Sequence, residues 1–215
     1  MLEIWESLGA ARCVVCDAAS TARPRGIGGR VCSTCFQDIP DRVSRLPVAP
    51  VGVDAAWSLG AYSGVLGALV RAGKFKGDEG SLRDLAAHMA EGLPLLAVDV
   101  VVAVPSSPWR RMWRGVNPAD LLAEPIAESL GVPQRWPLTR VRSHAQARLG
   151  HADRSANVRE AYRARASVAG TVLLVDDVVT TGSTATSCAR ALAAAGADRV
   201  FLLTVAAAAS GIARG

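Results

Sequence analysis

The stretch Val172-Leu-Leu-Val-Asp176-Asp177-Val-Val-Thr180-Thr181-Gly182-Ser183-Thr184 passes from an apolar run, through two adjacent acids, into a loop of hydroxyls and one glycine. The run from Thr171 to Val175 reads as a buried strand, and the residues from about Thr184 to Ala195 read as a helix that stops at Gly196. A further strand follows from Arg199 to Val205. Upstream, Val98 to Val104 is a β-branched strand, and Ala119 to Leu130 is a helix ended by Gly131. Ala55 to Tyr62 reads as a strand, Gly64 to Ala72 as a helix, and Asp84 to Leu93 has helical periodicity. Apolar strands alternating with helices indicate an α/β fold with a central, mainly parallel sheet flanked by helices. Ligands of such sheets bind at the carboxyl ends of the strands, where the polar residues of this stretch fall.

That placement has a chemical meaning. The first amides of a helix lack intrahelical partners, and a curled Thr180-Thr181-Gly182-Ser183-Thr184 segment can aim them at a phosphate while the hydroxyls add donors. Gly182 permits close backbone approach. Asp176 and Asp177 would lie about one sugar away, placed to accept hydrogen bonds from vicinal ribose hydroxyls or to hold Mg2+ through water. Together these groups describe a ribose phosphate. Neighbouring side chains on a regular strand point to opposite faces, so both acids serve one ligand only if the chain turns at the strand end; Val178-Val179-Thr180-Thr181 is the segment that would turn it. A phosphate loop of the Gly-Lys-Ser/Thr kind and a G-x-G-x-x-G dinucleotide fingerprint are both absent. Simple helix capping needs one hydroxyl and no acid pair.

Four of the five cysteines stand as Cys13-x2-Cys16 and Cys32-x2-Cys35, a spacing suited to a four-thiolate structural Zn2+ site in a small ribbon or knuckle. With four protein ligands no position is open to water, so the metal is a staple. Cys188 stands alone. Gly26, Gly28 and Gly29 are turn glycines of the zinc loop, since no strand precedes them and no helix follows. The module is expected over residues 1–46, and Pro47 to Pro50 leads into the main domain, residues 47–215.

Composition sets the remaining bounds. With 50% hydrophobic residues, 5% aromatic and mean hydropathy +0.24, the core must be built from Ala, Val and Leu. The apolar runs fall short of a membrane span. Met1-Leu2-Glu3-Ile4-Trp5-Glu6 has no basic region of the secretory kind, so a cytoplasmic location is expected. Net charge is +5, and the excess lies between Ser106 and Arg165, where eleven arginines accompany five acids. That segment is either a solvated arginine-rich face or a phosphate-handling surface.

Residues 172–184 resemble the phosphoribosyl pyrophosphate (PRPP) motif of type I phosphoribosyltransferases. Over nearly its full length the chain resembles the ComF family, competence-associated phosphoribosyltransferase-like proteins with an N-terminal four-cysteine zinc module. Beside the cysteines and the PRPP motif, the likeness rests on three further sets: Tyr62-Ser63-Gly64 with Lys74-Phe75-Lys76-Gly77, Val104-Pro105 with Arg114-Gly115-Val116-Asn117, and Gln146, Leu149, Arg154 and Asn157. The family usually has an aromatic where Val116 stands, Gln where Pro118 stands, and Pro-Val-Pro before its first loop where Ala103-Val104-Pro105 stands here.

The resemblance implies transfer of phosphoribosyl from PRPP to a nitrogen acceptor, with Mg2+ and release of pyrophosphate. Asp176, Asp177 and Arg114 would be catalytic, and Thr180 to Thr184 would hold the 5-phosphate. Ser106, Ser107 and Arg110 would serve the pyrophosphate, and a mobile loop would carry Gln146, Arg148, Arg154 and Asn157. A hood over the acceptor would come from residues 55–93. The alternative is a non-catalytic or PRPP-sensing accessory of DNA uptake that binds single-stranded DNA and competence-machinery proteins. Trp109 and Trp113, four apart, fit core packing better than base stacking; His144 and His151 are candidates for a general acid or base but fit solvent-facing loop positions better, and His88 is expected to be structural. Lys74 and Lys76 are as well explained as surface residues as ligands.

Overall fold

The computed structural model describes residues 12–18, 31–75, 77–107, 112, 115–141 and 161–208. After a short helix α1 (Ser33–Gln37) come strands β1 (Ser44–Arg45) and β2 (Ala55–Ala61), then helices α2 (Gly64–Phe75) and α3 (Glu79–Glu91). Strand β3 (Val100–Ala103), helix α4 (Pro118–Leu130) and strands β4 (Gln134–Arg135), β5 (Leu138–Arg140) and β6 (Tyr162–Ala164) follow. The described chain closes with β7 (Gly170–Val179), helix α5 (Ser183–Ala194) and β8 (Ala197–Ala207). Gly131 ends α4 in the left-handed region at φ 66°, where its amide takes carbonyls of the last turn, the stop that its lack of a Cβ allows.

Six strands form one sheet in the order β1-β2-β8-β7-β3-β4. All neighbours are parallel except β1, which runs antiparallel to β2; β5 and β6 pair as a separate antiparallel ribbon. Strand alternation splits the core in two. Val101, Ala103, Leu173, Val175, Leu203 and Val205 face α2, α3 and α4. Val100, Val102, Val172, Leu174, Val200 and Leu202 face α5 and the β5–β6 ribbon. Both faces are covered, so the strands are apolar on both sides, as a parallel sheet requires.

Residues 55–93 supply β2, the second strand of the main sheet, and α2 and α3, which pack on its face. Packing also runs across residue 46. Cys13, Val31, Cys35, Ile39 and Val43 belong to the same core as α2, α3 and α4, and β1 extends the sheet itself. His88 on α3 helps to join the parts: one ring nitrogen lies 2.8 Å from the Pro40 carbonyl, and the ring meets Phe36 edge-on. No helix among the described residues is long and apolar enough to cross a membrane.

Candidate functional site at the strand ends

Topology alone points to one crevice. Strands β3 and β7 are parallel neighbours, with Ala103 opposite Val175, yet the helices that follow them leave for opposite faces, α4 with one core and α5 with the other. Where neighbouring crossovers part in this way, a cleft opens at the carboxyl ends of the strands. Pro105 to Ser107 lie at the end of β3, and Asp176 to Thr184 at the end of β7.

Strand β7 runs beyond the expected end at Val175 as far as Val179. Val178 and Val179 do not turn the chain; they continue the ladder against Ala206 and Ala207, because β-branched residues keep their place beside the long strand β8. The acids therefore remain within a regular strand and part to opposite faces. Asp177 turns toward α2, where its carboxylate lies 2.7 Å from Lys74 Nζ, both side chains mostly buried. Asp176 accepts a hydrogen bond from the Asp177 amide at 2.9 Å and joins Thr180, Gly182, Ser183 and Thr184 in lining a small cup. Burial first, and the neighbouring Asp177 charge second, push the Asp176 carboxyl up to about 8. The two acids thus differ in surroundings: Asp177 pairs with a lysine, while Asp176 is half-buried at the cup, where burial and the Asp177 charge favour its protonated form.

Gly182 sits at the N-cap of α5 in the left-handed region, φ 73°, and offers no side chain to cap the helix. The first helical bond runs from Thr186 N–H to the Gly182 carbonyl. In the turn, Ser183 N–H donates to Thr181 Oγ1 at 3.4 Å, and Thr181 Oγ1–H donates to Ser183 Oγ at 3.1 Å. These are weak internal bonds that an anion replaces at small cost. Close packing makes glycine necessary as well, since a Cβ at position 182 would lie 2.9 Å from Pro50 Cγ.

Across the crevice, Ser106 Oγ is buried and has no hydrogen-bond partner among the described residues. Behind it, Asn117 donates from Nδ2 to the Val104 carbonyl at 3.0 Å and so fastens the start of α4 to the end of β3. The expected contributors Arg110, Arg114, Gln146, Arg148, Arg154 and Asn157 lie outside the described residues, as do Trp109, Trp113, His144 and His151.

Lys74 carries the contact that sequence reasoning left open. Helical spacing puts it on the last turn of α2, but only the packing of α2 on the sheet shows that it reaches Asp177. A cavity of about 590 Å3 beside Ser106, with Asp120, Trp136, Arg140 and Arg165 in its wall, was also not foreseen. Its only signal was the arginine excess of the segment.

The cysteines converge as expected. The Sγ atoms of Cys13, Cys16, Cys32 and Cys35 all lie within 4.8 Å of one another, and none is in a disulfide. Cys16 and Cys32 are 3.7 Å apart, close to the ~3.8 Å edge of a tetrahedron of ~2.3 Å zinc–sulfur bonds. Burial pushes the Cys13 thiol up, but amides of Cys16, Cys32 and Val15 outweigh it and bring the group down to about 6. Burial raises Cys35 above the ordinary thiol range. Four thiols in this array could hold one zinc ion, with the Cys32 and Cys35 amides bonded to Cys13 and Cys32 sulfur in support.

No family model matches the chain. It is similar to the DNA utilization protein YhgH of Salmonella typhi, 42% identical over 125 residues, which cover 54% of this chain and 52% of that protein. It is also similar to the protein of the same name from Escherichia coli strain K12, 40% identical over 126 residues, covering 55% of this chain and 53% of that one. The chain thus spans about half the length of the curated relatives it matches. Among solved structures, the orotate phosphoribosyltransferase of Aeropyrum pernix superposes with TM-score 0.40 at 20% identity, over 64% of this chain and 65% of that one. The glutamine PRPP amidotransferase from B. subtilis does so with TM-score 0.41 at 23% identity, over 57% and 25%.

Proposed function

We propose that this chain is a ComF-like, PRPP-binding protein of the phosphoribosyltransferase type, which transfers phosphoribosyl to a nitrogen acceptor with release of pyrophosphate. One observation carries the reading: at the point where β3 and β7 part, a glycine-capped helix start and the Asp176 carboxyl line the same cup. The cup suits a monophosphate and the carboxyl suits a ribose hydroxyl, and few other ligands present both groups one sugar apart.

In this reading the amides and hydroxyls of Thr180 to Thr184 hold the 5-phosphate. Asp176 accepts a hydrogen bond from a ribose hydroxyl, and Lys74 holds Asp177 in place beside the ring, where positive charge grows as the leaving group departs. Ser106 donates its unpartnered hydroxyl to the pyrophosphate. The oxygen donors at the crevice suit Mg2+, which when bound supplies neutralising charge to the leaving pyrophosphate. Arg110, Arg114 and the 146–157 residues keep the roles that the family resemblance implies, clamping phosphate and closing over the site.

Calorimetry tests this directly. PRPP with Mg2+ is expected to bind the wild-type chain, and the double variant Asp176→Ala, Asp177→Ala to lose binding; equal binding by both, or none by the wild type, rejects the reading. The name of the relatives favours a second reading, a role in handling single-stranded DNA through the arginine-rich segment. It requires oligonucleotide binding that weakens steeply with salt, and binding retained at high salt counts against it.

A further inference from the structure

A second cavity, of about 670 Å3, opens between β6 and α5, within the size range of small-molecule sites. Among the described residues it shares Arg165 alone with the chamber beside Ser106, and nothing with the phosphate cup.

Residue order builds both walls. Ser187, Arg190, Ala191 and Ala194 recur at helical spacing, so they form one stripe along α5. Its small members leave room against the β5–β6 ribbon, and Arg190 is its one long side chain. On the other wall, Arg163 pairs with Thr139, and the Arg165 amide donates to the Pro137 carbonyl at 2.7 Å. The ladder thus carries the alternation past the end of β6, and Arg163 and Arg165 share a face of the ribbon, both exposed.

Charge decides what this space accepts. Arg163, Arg165 and Arg190 line it and no acid does, and none of the three has a carboxylate partner among the described residues. Guanidiniums gathered without counter-charge repel one another, and an anion relieves that cost. A single phosphate is a poor match, because one exposed ion pair gains little against water. A chain of two or three phosphates meets several guanidiniums at once, each through paired N–H donors. Ala191 and Ala194 beside them offer a low apolar surface on which a ring or sugar can lie.

We propose that the cavity between β6 and α5 is an effector site for a small polyphosphate, either a nucleoside triphosphate or an inorganic phosphate chain, and that it acts on the crevice through Arg165. That side chain lines both cavities and serves an anion in one of them at a time. A ligand that draws Arg165 toward α5 removes a cation from the crevice. Resting on the PRPP reading above, this makes the effector an inhibitor. Polyphosphate at α5 and PRPP at the cup weaken each other by the same factor, since the coupling is reciprocal.

The test is calorimetry on the full chain, with Mg2+ in excess of all phosphate, using ATP, inorganic triphosphate, orthophosphate and adenosine. ATP and triphosphate are expected to bind about tenfold or more tightly than orthophosphate or adenosine. ATP binding above triphosphate identifies a nucleotide as the effector, and equal affinity identifies the phosphate chain itself. Arg190→Gln should weaken both about tenfold, the scale of one charge-assisted bond. This residue is exposed on α5 and lines neither the crevice nor the cup, so PRPP affinity should stay unchanged. The double variant Asp176→Ala, Asp177→Ala should bind ATP as the wild type does. ATP should raise the dissociation constant of PRPP about tenfold; Arg190→Gln should need about tenfold more ATP for the same effect, and Arg165→Gln should abolish it.

Orthophosphate binding as tightly as triphosphate overturns the proposal, as does indifference of ATP to Arg190→Gln. Loss of ATP binding in the double aspartate variant overturns it too, because ATP then sits in the cup. Oligonucleotide binding that needs Arg190, in a chain that does not bind ATP, does the same. ATP binding that depends on Arg190 in a chain unable to bind PRPP upholds the polyphosphate site and rejects the function proposed for the cup.

Discussion

Replacing Asp176 with asparagine should make the protein less sensitive to alkali while disabling its ligand cup. Burial at the cup and the neighbouring Asp177 charge push this carboxyl up to about 8, against 3.8 for an ordinary aspartate. Its folded value is raised, so between about pH 4 and pH 8 the native chain holds a proton that the unfolded chain has released. Stability from this group is greatest in acid and falls through that window by up to ~1.4 kcal/mol per pH unit. The full penalty is at most about 6 kcal/mol, and the opening of the side chain at the cup trims it. Asparagine has the same shape and no such slope. Urea denaturation of both proteins should therefore show the variant gaining about 3 kcal/mol on the wild type between pH 5 and pH 8. Titrating groups other than Asp177 and Lys74, which act on Asp176 directly, cancel in this difference. Parallel stability curves would refute the assignment of a buried, protonated Asp176. PRPP and Mg2+ must ionise this group, so wild-type affinity should rise toward pH 8, by up to about tenfold per pH unit, and the variant should have neither the rise nor the affinity.

Lys74→Met leaves Asp177 mostly buried without its cation; stability should drop by about 3 kcal/mol, and the pH slope of Asp176 should extend further into alkali, because Lys74 lowers that group. An unchanged pH profile would show that the pair does not act on Asp176. Gly182→Ala puts a Cβ on a left-handed residue and against Pro50, which should cost about 1–2 kcal/mol or more and weaken PRPP at least as strongly as stability, measured by denaturation and calorimetry on the same sample. Elemental analysis should find one zinc per chain. Chelation or Cys35→Ser should lower Tm by roughly 10 °C in a single transition, since Cys13 and Cys35 share the core of α2, α3 and α4; two separated transitions would show an independent module.

Much of this molecule can be read from residue order because the interactions that place it are local. Apolar runs with β-branched residues become strands wherever helices cover both faces, and Gly131 stops a helix by its own backbone freedom. The Thr180 to Thr184 cup is likewise local, since a turn and the first amides of α5 lie within a few residues of one another. The paired C-x-x-C spacings brought four sulfurs together as expected, each pair sitting in its own turn.

The tertiary structure decided the rest, because it depends on which elements lie side by side. Two adjacent aspartates look equivalent in sequence, yet strand alternation sends Asp177 to Lys74, a partner 103 positions away in the chain on the opposing helix, and leaves Asp176 half-buried at the cup. The same holds for the chamber formed by Ser106, Asp120, Trp136, Arg140 and Arg165. These residues share no motif, and they meet only because β3 and β7 are neighbours whose helices depart to opposite faces of the sheet.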